Sequence, residues 1–292
     1  MKIKELYNEK KTVISLEIFP PKLEMPVETI YKTLDELQGL KPDFISVTYG
    51  AGGKAKDRTV EIASKIKSDY GIESLAHLTC ISSTKEQIKN IFAEMKKNKI
   101  ENILALRGDL PEDKTLLDIP KEHHYASDLI TEIRKENGFS IGAACYPEGH
   151  VACESRVKDI KHLREKVDRG AEFLISQLFF DNERFFRFME ELEIAGIDVP
   201  VSAGIMPVMN KNQILRMSKL SGCYLPPKFQ RIVDRYENNP ESLREAGEAY
   251  AIEQIIDLMT WGVRGIHLYT MNKPQTARRI LTNIENIRRL QE

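Results

Sequence analysis

The chain has 292 residues, 41% of them hydrophobic, with 43 Lys and Arg against 44 Asp and Glu. Charge this evenly balanced argues against a dominant nucleic-acid or acidic-membrane partner, which calls for a basic excess. No apolar run approaches the roughly 18 residues of a membrane span, and the N-terminal MKIKELYNEKKTVISLEIF lacks the apolar core and small-residue cleavage site of a secretory signal. Cys80, Cys145, Cys153 and Cys223 form no CxxC pair, and a chain of this size does not depend on disulfides, so a reduced cytoplasmic protein is expected.

In chain order, short β-rich runs alternate with longer amphipathic stretches. The predicted strands are TVISLEIF, DFISVTYG, ESLAHLTC, NILALRG, SIGAACY, EFLISQLFF, VPVSAGIM and GIHLYTM. Near-continuous apolar strands separated by helix-sized intervals indicate a parallel sheet covered by helices. Eight such units at this length fit a (β/α)₈ TIM barrel better than an open doubly wound sheet. The interval from Met206 to Gly265 is too long for one helix; it predicts an extra helix before the last strand, with Leu225-Pro226-Pro227 as the break. No repeat, low-complexity tract or linker is visible, so residues 1–292 are read as a single domain.

Two helices matter for function. SRVKDIKHLREKVDRG puts Val157, Ile160, Leu163 and Val167 on one stripe, with Gly170 as the stop. Asp159 and Lys166, seven apart, share another face. In NKNQILRMSKL, Asn210 is the expected N-cap, and Gln213 and Met217 are i, i+4 neighbours.

Polar residues fall at the C-terminal ends of the predicted strands. Glu17 interrupts the first; Thr48 and Tyr49 close the second, His77 and Thr79 the third, Arg107 and Asp109 the fourth. Tyr146 and His150 follow the fifth, Gln177 ends the sixth and Tyr269 the eighth. In a barrel these ends meet at one face, where the catalytic groups of this architecture sit. Each residue also has an ordinary explanation: a paired edge carboxylate for Glu17, a turn for Gly108-Asp109, a hydrogen-bonded structural role for His77, a solvated helix face for Asp159 and Lys166. Their repetition at seven strand ends favours a cleft. An adhesive Arg107-Gly108-Asp109 loop would need an extracellular setting, which the cysteine usage disfavours.

SLEIFPPK, FISVTYGAGG, LAHLTC, NILALRGDLP, HYASDL, AACYPEGH, KVDRGAEFLISQLFFD and GIMPV occur in that order and spacing. Together, from about Glu17 to Lys273, they resemble methylenetetrahydrofolate reductase of the short bacterial type. The resemblance implies a flavin-binding (β/α)₈ barrel. It would reduce 5,10-methylenetetrahydrofolate to 5-methyltetrahydrofolate in two half-reactions, with FAD as cofactor and NADH or NADPH as diffusible donor. It implies Glu17 as the acid that opens the methylene bridge to an iminium, and Asp109 as the carboxylate beside flavin and pterin. A carboxyl flanked by Leu16, Ile18 and Phe19 is expected to have its pKa raised by desolvation.

By the same resemblance, Gln177, Gln213, Met217, Tyr269 and Lys273 would meet the folate or nicotinamide. FAD would meet Thr48, Tyr49, Ala51, His77, Arg107, Gly108, Asp109, Ala126, Tyr146, His150, Asp159 and Lys166, with Arg107 and Lys166 on the pyrophosphate. The chain departs from the enterobacterial pattern at Met217, where that type has phenylalanine, at Lys273, where it has arginine, and at His162 and Glu165. These departures leave the electron donor open between a nicotinamide and a partner subunit. A homo-oligomer is expected, and the product could serve methionine synthesis or carbon fixation. A flavin-free barrel lyase or methyltransferase is the competing enzyme class.

Overall fold

The computed structural model describes residues 1–22, 24–49, 56–81, 83–109 and 123–290. Eight strands, β1 (Val13–Ile18), β2 (Phe44–Val47), β3 (Glu73–Thr79), β4 (Asn102–Leu106), β5 (Ser140–Cys145), β6 (Phe173–Ser176), β7 (Val201–Ile205) and β8 (Gly265–Tyr269), close into a barrel in sequence order. Every neighbouring pair is parallel, and β8 returns to β1 with Glu17 opposite Tyr269 and Ser15 opposite His267. Each expected strand is present. Their apolar runs work because both faces are covered: one by helices, the other by the barrel filling.

The helices are α1 (Ile3–Glu9), α2 (Glu28–Gln38), α3 (Lys56–Tyr70), α4 (Lys85–Lys97), α5 (Ala126–Glu136), α6 (Arg156–Asp168), α7 (Asn182–Ile194), α8 (Lys211–Ser221), α9 (Pro227–Tyr236), α10 (Pro240–Trp261), α11 (Pro274–Asn283) and α12 (Glu285–Arg289). The long interval before β8 thus holds three helices. Pro227 and Pro240 each open a new one, where a missing N–H costs nothing. Asn210 caps α8 as expected, accepting from the Gln213 N–H at 3.2 Å.

The stripe on α6 needs correction. Leu163 is buried and Ile160 and Val167 pack against the core, but Val157 is 66% exposed. Val157 sits in the first turn, beyond the reach of the barrel wall. Gly170, with φ +123°, follows the helix as its stop.

Helix α1 plugs the N-terminal end of the barrel. Ile3, Leu6 and Tyr7 cluster with Val13, Phe44, Leu75, Leu104 and Phe173, and the Tyr7 hydroxyl bonds Ser202 Oγ at 2.8 Å. With that floor closed, the opposite end is left for chemistry.

Candidate active site

Glu17 points into the barrel at the C-terminal end of β1, and three groups from other strands converge on one of its oxygens. Ser46 of β2 donates to Oε2 at 3.3 Å. His267 Nε2 of β8 lies 3.2 Å from it, and His77 Nε2 of β3 lies 3.4 Å away. Sequence spacing could not foresee this ring, because Glu17 and His267 are 250 positions apart.

The ring overturns the expected direction of the Glu17 pKa. Burial does push it up, as anticipated, but the His267 hydrogen bond, the two imidazoles and the Ser46 hydroxyl together outweigh burial and hold it below the usual carboxylate range. His77 is driven the other way: burial takes it down to about 4, against the pull of Glu17. The pair is therefore a carboxylate beside a neutral imidazole at neutral pH.

A stability profile follows from these directions. A histidine whose folded pKa lies below its unfolded value takes its proton more readily when unfolded. Its contribution is full above the unfolded pKa and is lost as pH falls from about 6.5 towards 4, costing roughly 3 kcal/mol. Glu17, also depressed, loses its own contribution at lower pH still, as pH falls through its folded pKa. Urea unfolding between pH 7 and 4 checks this, with His77→Gln expected to flatten the upper part of the decline.

The end of β4 turns sharply. Gly108 has φ +85°, and a Cβ there would stand 2.9 Å from Thr79 Cβ. This turn lets Arg107 fold back, its Nε donating to the Gly108 carbonyl at 3.3 Å, and leaves Asp109 exposed at the mouth. Gly108→Ala is expected to cost about 1–3 kcal/mol of stability, read by urea unfolding, because strain and clash act together.

Beside the mouth lies a cavity of about 450 Å³, whose walls include Arg107, Ala126, Tyr146, His150, Asp159 and Lys166. Six residues from four separate segments that the resemblance linked to one cofactor thus share one space. Lys166 Nζ donates to the Ala144 carbonyl at 2.9 Å, and burial lowers its pKa despite the attraction of Cys145 and Asp159. Arg156 braces Asp159 at 3.5 Å and the Tyr146 carbonyl at 2.8 Å. The Tyr146 and His150 rings meet edge to face, 4.6 Å between centroids. Arg107 and Lys166 beside aromatic faces and the Asp159 carboxylate, in a wall that also carries Asp128, Glu154 and Glu165, suit a ligand that carries phosphate, ribose and aromatic rings.

A model of the methylenetetrahydrofolate reductase family matches residues 2–285. The chain belongs to the methylenetetrahydrofolate reductase family. It is 36% identical over 264 residues to the 5,10-methylenetetrahydrofolate reductase of Pectobacterium carotovorum subsp. carotovorum, covering 90% of this chain and 87% of that one. Against the Escherichia coli K12 protein of the same name the identity is also 36%, with 90% and 88% covered. Methylenetetrahydrofolate reductase (NADH) 1 of Arabidopsis thaliana is 34% identical over 97% of this chain but only 50% of its own length. Among solved structures, a Clostridium thermocellum protein described as binding two copies of 5-methyl-5,6,7,8-tetrahydrofolic acid superposes with a TM-score of 0.68 at 14% identity. The match covers 98% of this chain and all of that one, and shows the shared fold.

The other residues marked in the sequence of this reductase-family chain spread around the mouth. Thr48, Tyr49, His77, Gly108 and Asp109 lie at the ends of β2, β3 and β4, outside the cavity walls described above. Ala51 lies outside the described residues. Gln177 follows β6, its side-chain oxygen accepting from the Leu178 N–H at 2.9 Å. The Tyr269 hydroxyl donates to the Ser176 carbonyl at 2.8 Å, passing over Gly204, where a Cβ would stand 2.3 Å from that carbonyl oxygen. Gln213 and Met217 ride on α8, with Met217 packed against the cluster of Leu178, Phe180 and Met206. Lys273 is exposed at the start of α11. Ser46, His267 and the cavity-lining Tyr125, Asp128 and Arg169 were not marked by sequence reasoning. His267 could have been: a histidine two residues before Tyr269 in a strand faces the same way as that tyrosine.

Proposed function

We propose that the chain reduces 5,10-methylenetetrahydrofolate to 5-methyltetrahydrofolate, using FAD as the intermediate hydride carrier and NADH or NADPH as donor. The observation that carries this reading is a carboxyl group, Glu17, met by Ser46, His77 and His267 at the mouth of a barrel of this family, beside a cavity whose walls include Arg107 and Lys166. FAD, when bound, would supply hydride to the folate. Arg107 and Lys166 would hold its pyrophosphate, Asp159 a ribose hydroxyl, and Tyr146 and His150 its flat surfaces.

The chain's own part is acid catalysis and charge. Glu17 would give a proton to the aminal nitrogen and so open the bridge to an electrophilic iminium. In the free protein it is ionised at neutral pH; covering its remaining 17% side-chain exposure with a substrate would push its pKa up by desolvation and favour proton uptake. Asp109, exposed after β4, would stabilise the cation and oppose electron build-up on the flavin. Gln177 and Gln213 would position the pterin, and Lys273 would meet the glutamate tail as a point charge without a bidentate fork. The name of the plant relative makes NADH the first donor to try.

The deciding test is the visible spectrum of the purified protein, reconstituted with FAD in the absence of oxygen, before and after NADH. A flavin spectrum that bleaches, and recovers on adding methylenetetrahydrofolate, supports the proposal. Flavin that persists with either nicotinamide would replace the diffusible donor by a partner protein. Failure to bind FAD would overturn the reading in favour of a flavin-free barrel enzyme.

A further inference from the structure

His267 is 0% exposed, and both its ring nitrogens are engaged: Nδ1 lies 2.8 Å from Ser15 Oγ and Nε2 lies 3.2 Å from Glu17 Oε2. A neutral imidazole carries one N–H. Facing a carboxylate, that hydrogen belongs on Nε2, and Nδ1 must then accept from Ser15. Ser15 has a single hydroxyl hydrogen with two possible acceptors, Nδ1 at 2.8 Å and the Ile266 carbonyl at 3.3 Å. Turned to Nδ1, it fixes the tautomer that donates to Glu17. Turned to Ile266, it releases that tautomer.

The other groups facing Glu17 define what this bond does. Ser46 of β2 and His77 of β3 approach the same oxygen, Oε2, and the titratable Tyr269 stands beside them on β8, its own phenol committed to the Ser176 carbonyl. Oε1 lies outside this set of contacts. The His267 ring is wedged between Phe44, 6.3 Å between centroids, and Tyr269, 5.2 Å, so it has no freedom to swing away.

We infer that His267, with Ser15 setting its tautomer, is a positioning residue for Glu17: it holds Oε2 as a permanent acceptor, so the transferable proton resides on Oε1. Two functional consequences follow. The ionised carboxylate is stabilised between turnovers, and the protonated acid presents one defined oxygen to the substrate. In this state the chain Ser15–His267–Glu17 starts at a hydroxyl buried in the barrel wall, so it orients the proton and does not import it from the barrel floor. This rests on Glu17 being the acid, but the network itself can be tested without the reaction.

The experiment follows the Glu17 carboxyl by difference infrared titration in the cofactor-free protein, with Glu17→Gln marking its band. His267→Leu removes the donor, whereas His267→Gln places an amide N–H near the position of Nε2. Losing a hydrogen bond to a charged group is expected to raise the Glu17 midpoint by about one to two pH units in His267→Leu, with His267→Gln within about half a unit of the parent. Ser15→Ala, which removes a hydroxyl that reaches His267 and the Ile266 carbonyl but makes no bond to Glu17, is expected to move it in the same direction by a smaller amount. An unmoved midpoint in His267→Leu, or equal shifts with Leu and Gln, overturns the inference. If His267→Leu does not fold, an unmoved midpoint in Ser15→Ala overturns it instead. A network intact by this titration beside a Glu17→Gln variant that still reduces folate would remove the acid role alone.

Discussion

Glu17→Gln is expected to abolish folate reduction while leaving the flavin reducible by NADH. The substitution is nearly isosteric, and the amide oxygen can still accept from His267 and Ser46, so the barrel mouth keeps its shape. What disappears is the proton that opens the aminal. Positioned general acids contribute about 10²–10⁴-fold, and the folate half-reaction should fall by that amount in rapid-mixing experiments. Bleaching by NADH needs no proton from Glu17 and should stay within a few-fold of the parent. If both half-reactions fall together, Glu17 serves the structure of the mouth and not the chemistry.

The acid's pKa shows where sequence reasoning stops. Around Glu17 the sequence displays Leu16, Ile18 and Phe19, and from them burial is the only force in view. Ser46, His77 and His267 reach the carboxylate through the pairing of β1 with β2 and β8 and from the neighbouring β3, contacts that local pattern does not encode. The sign of a shift depends on which of several opposed effects wins, and most of those effects were non-local. The eight strands were legible for the opposite reason. Each is a local run of β-branched and apolar residues, and parallel strands covered on both faces need no alternation to be recognised. Asp159 and Lys166 were placed on one helix face by spacing alone, and the structure puts both on the cavity wall. Val157 failed because periodicity marks a stripe without saying how far along it the neighbouring surface extends.

Lys166→Met separates what Lys166 does for the ligand from what it does for the fold, and the two effects are expected to have opposite signs. The lysine amine lies in the cavity wall with the Ala144 carbonyl as its hydrogen-bond acceptor, and burial already lowers its pKa. A cation held there without a full counter-charge strains the ligand-free protein, because desolvation exceeds the attraction it recovers. Methionine keeps the length and apolar contact of the stem and removes that strain. The cofactor-free protein should therefore melt at the same temperature or a few degrees higher. A ligand pyrophosphate would turn the same cation into a charge-assisted pair worth about 1.5–3 kcal/mol, so FAD affinity should fall by roughly 10- to 150-fold, measured by flavin fluorescence quenching. A lower melting temperature of the free protein with unchanged FAD affinity would reassign Lys166 to the fold. Loss of affinity with the free protein undisturbed would place it on the cofactor; loss of affinity with a raised melting temperature would show in addition that this wall of the barrel is built at some cost to its own stability for the anion it receives.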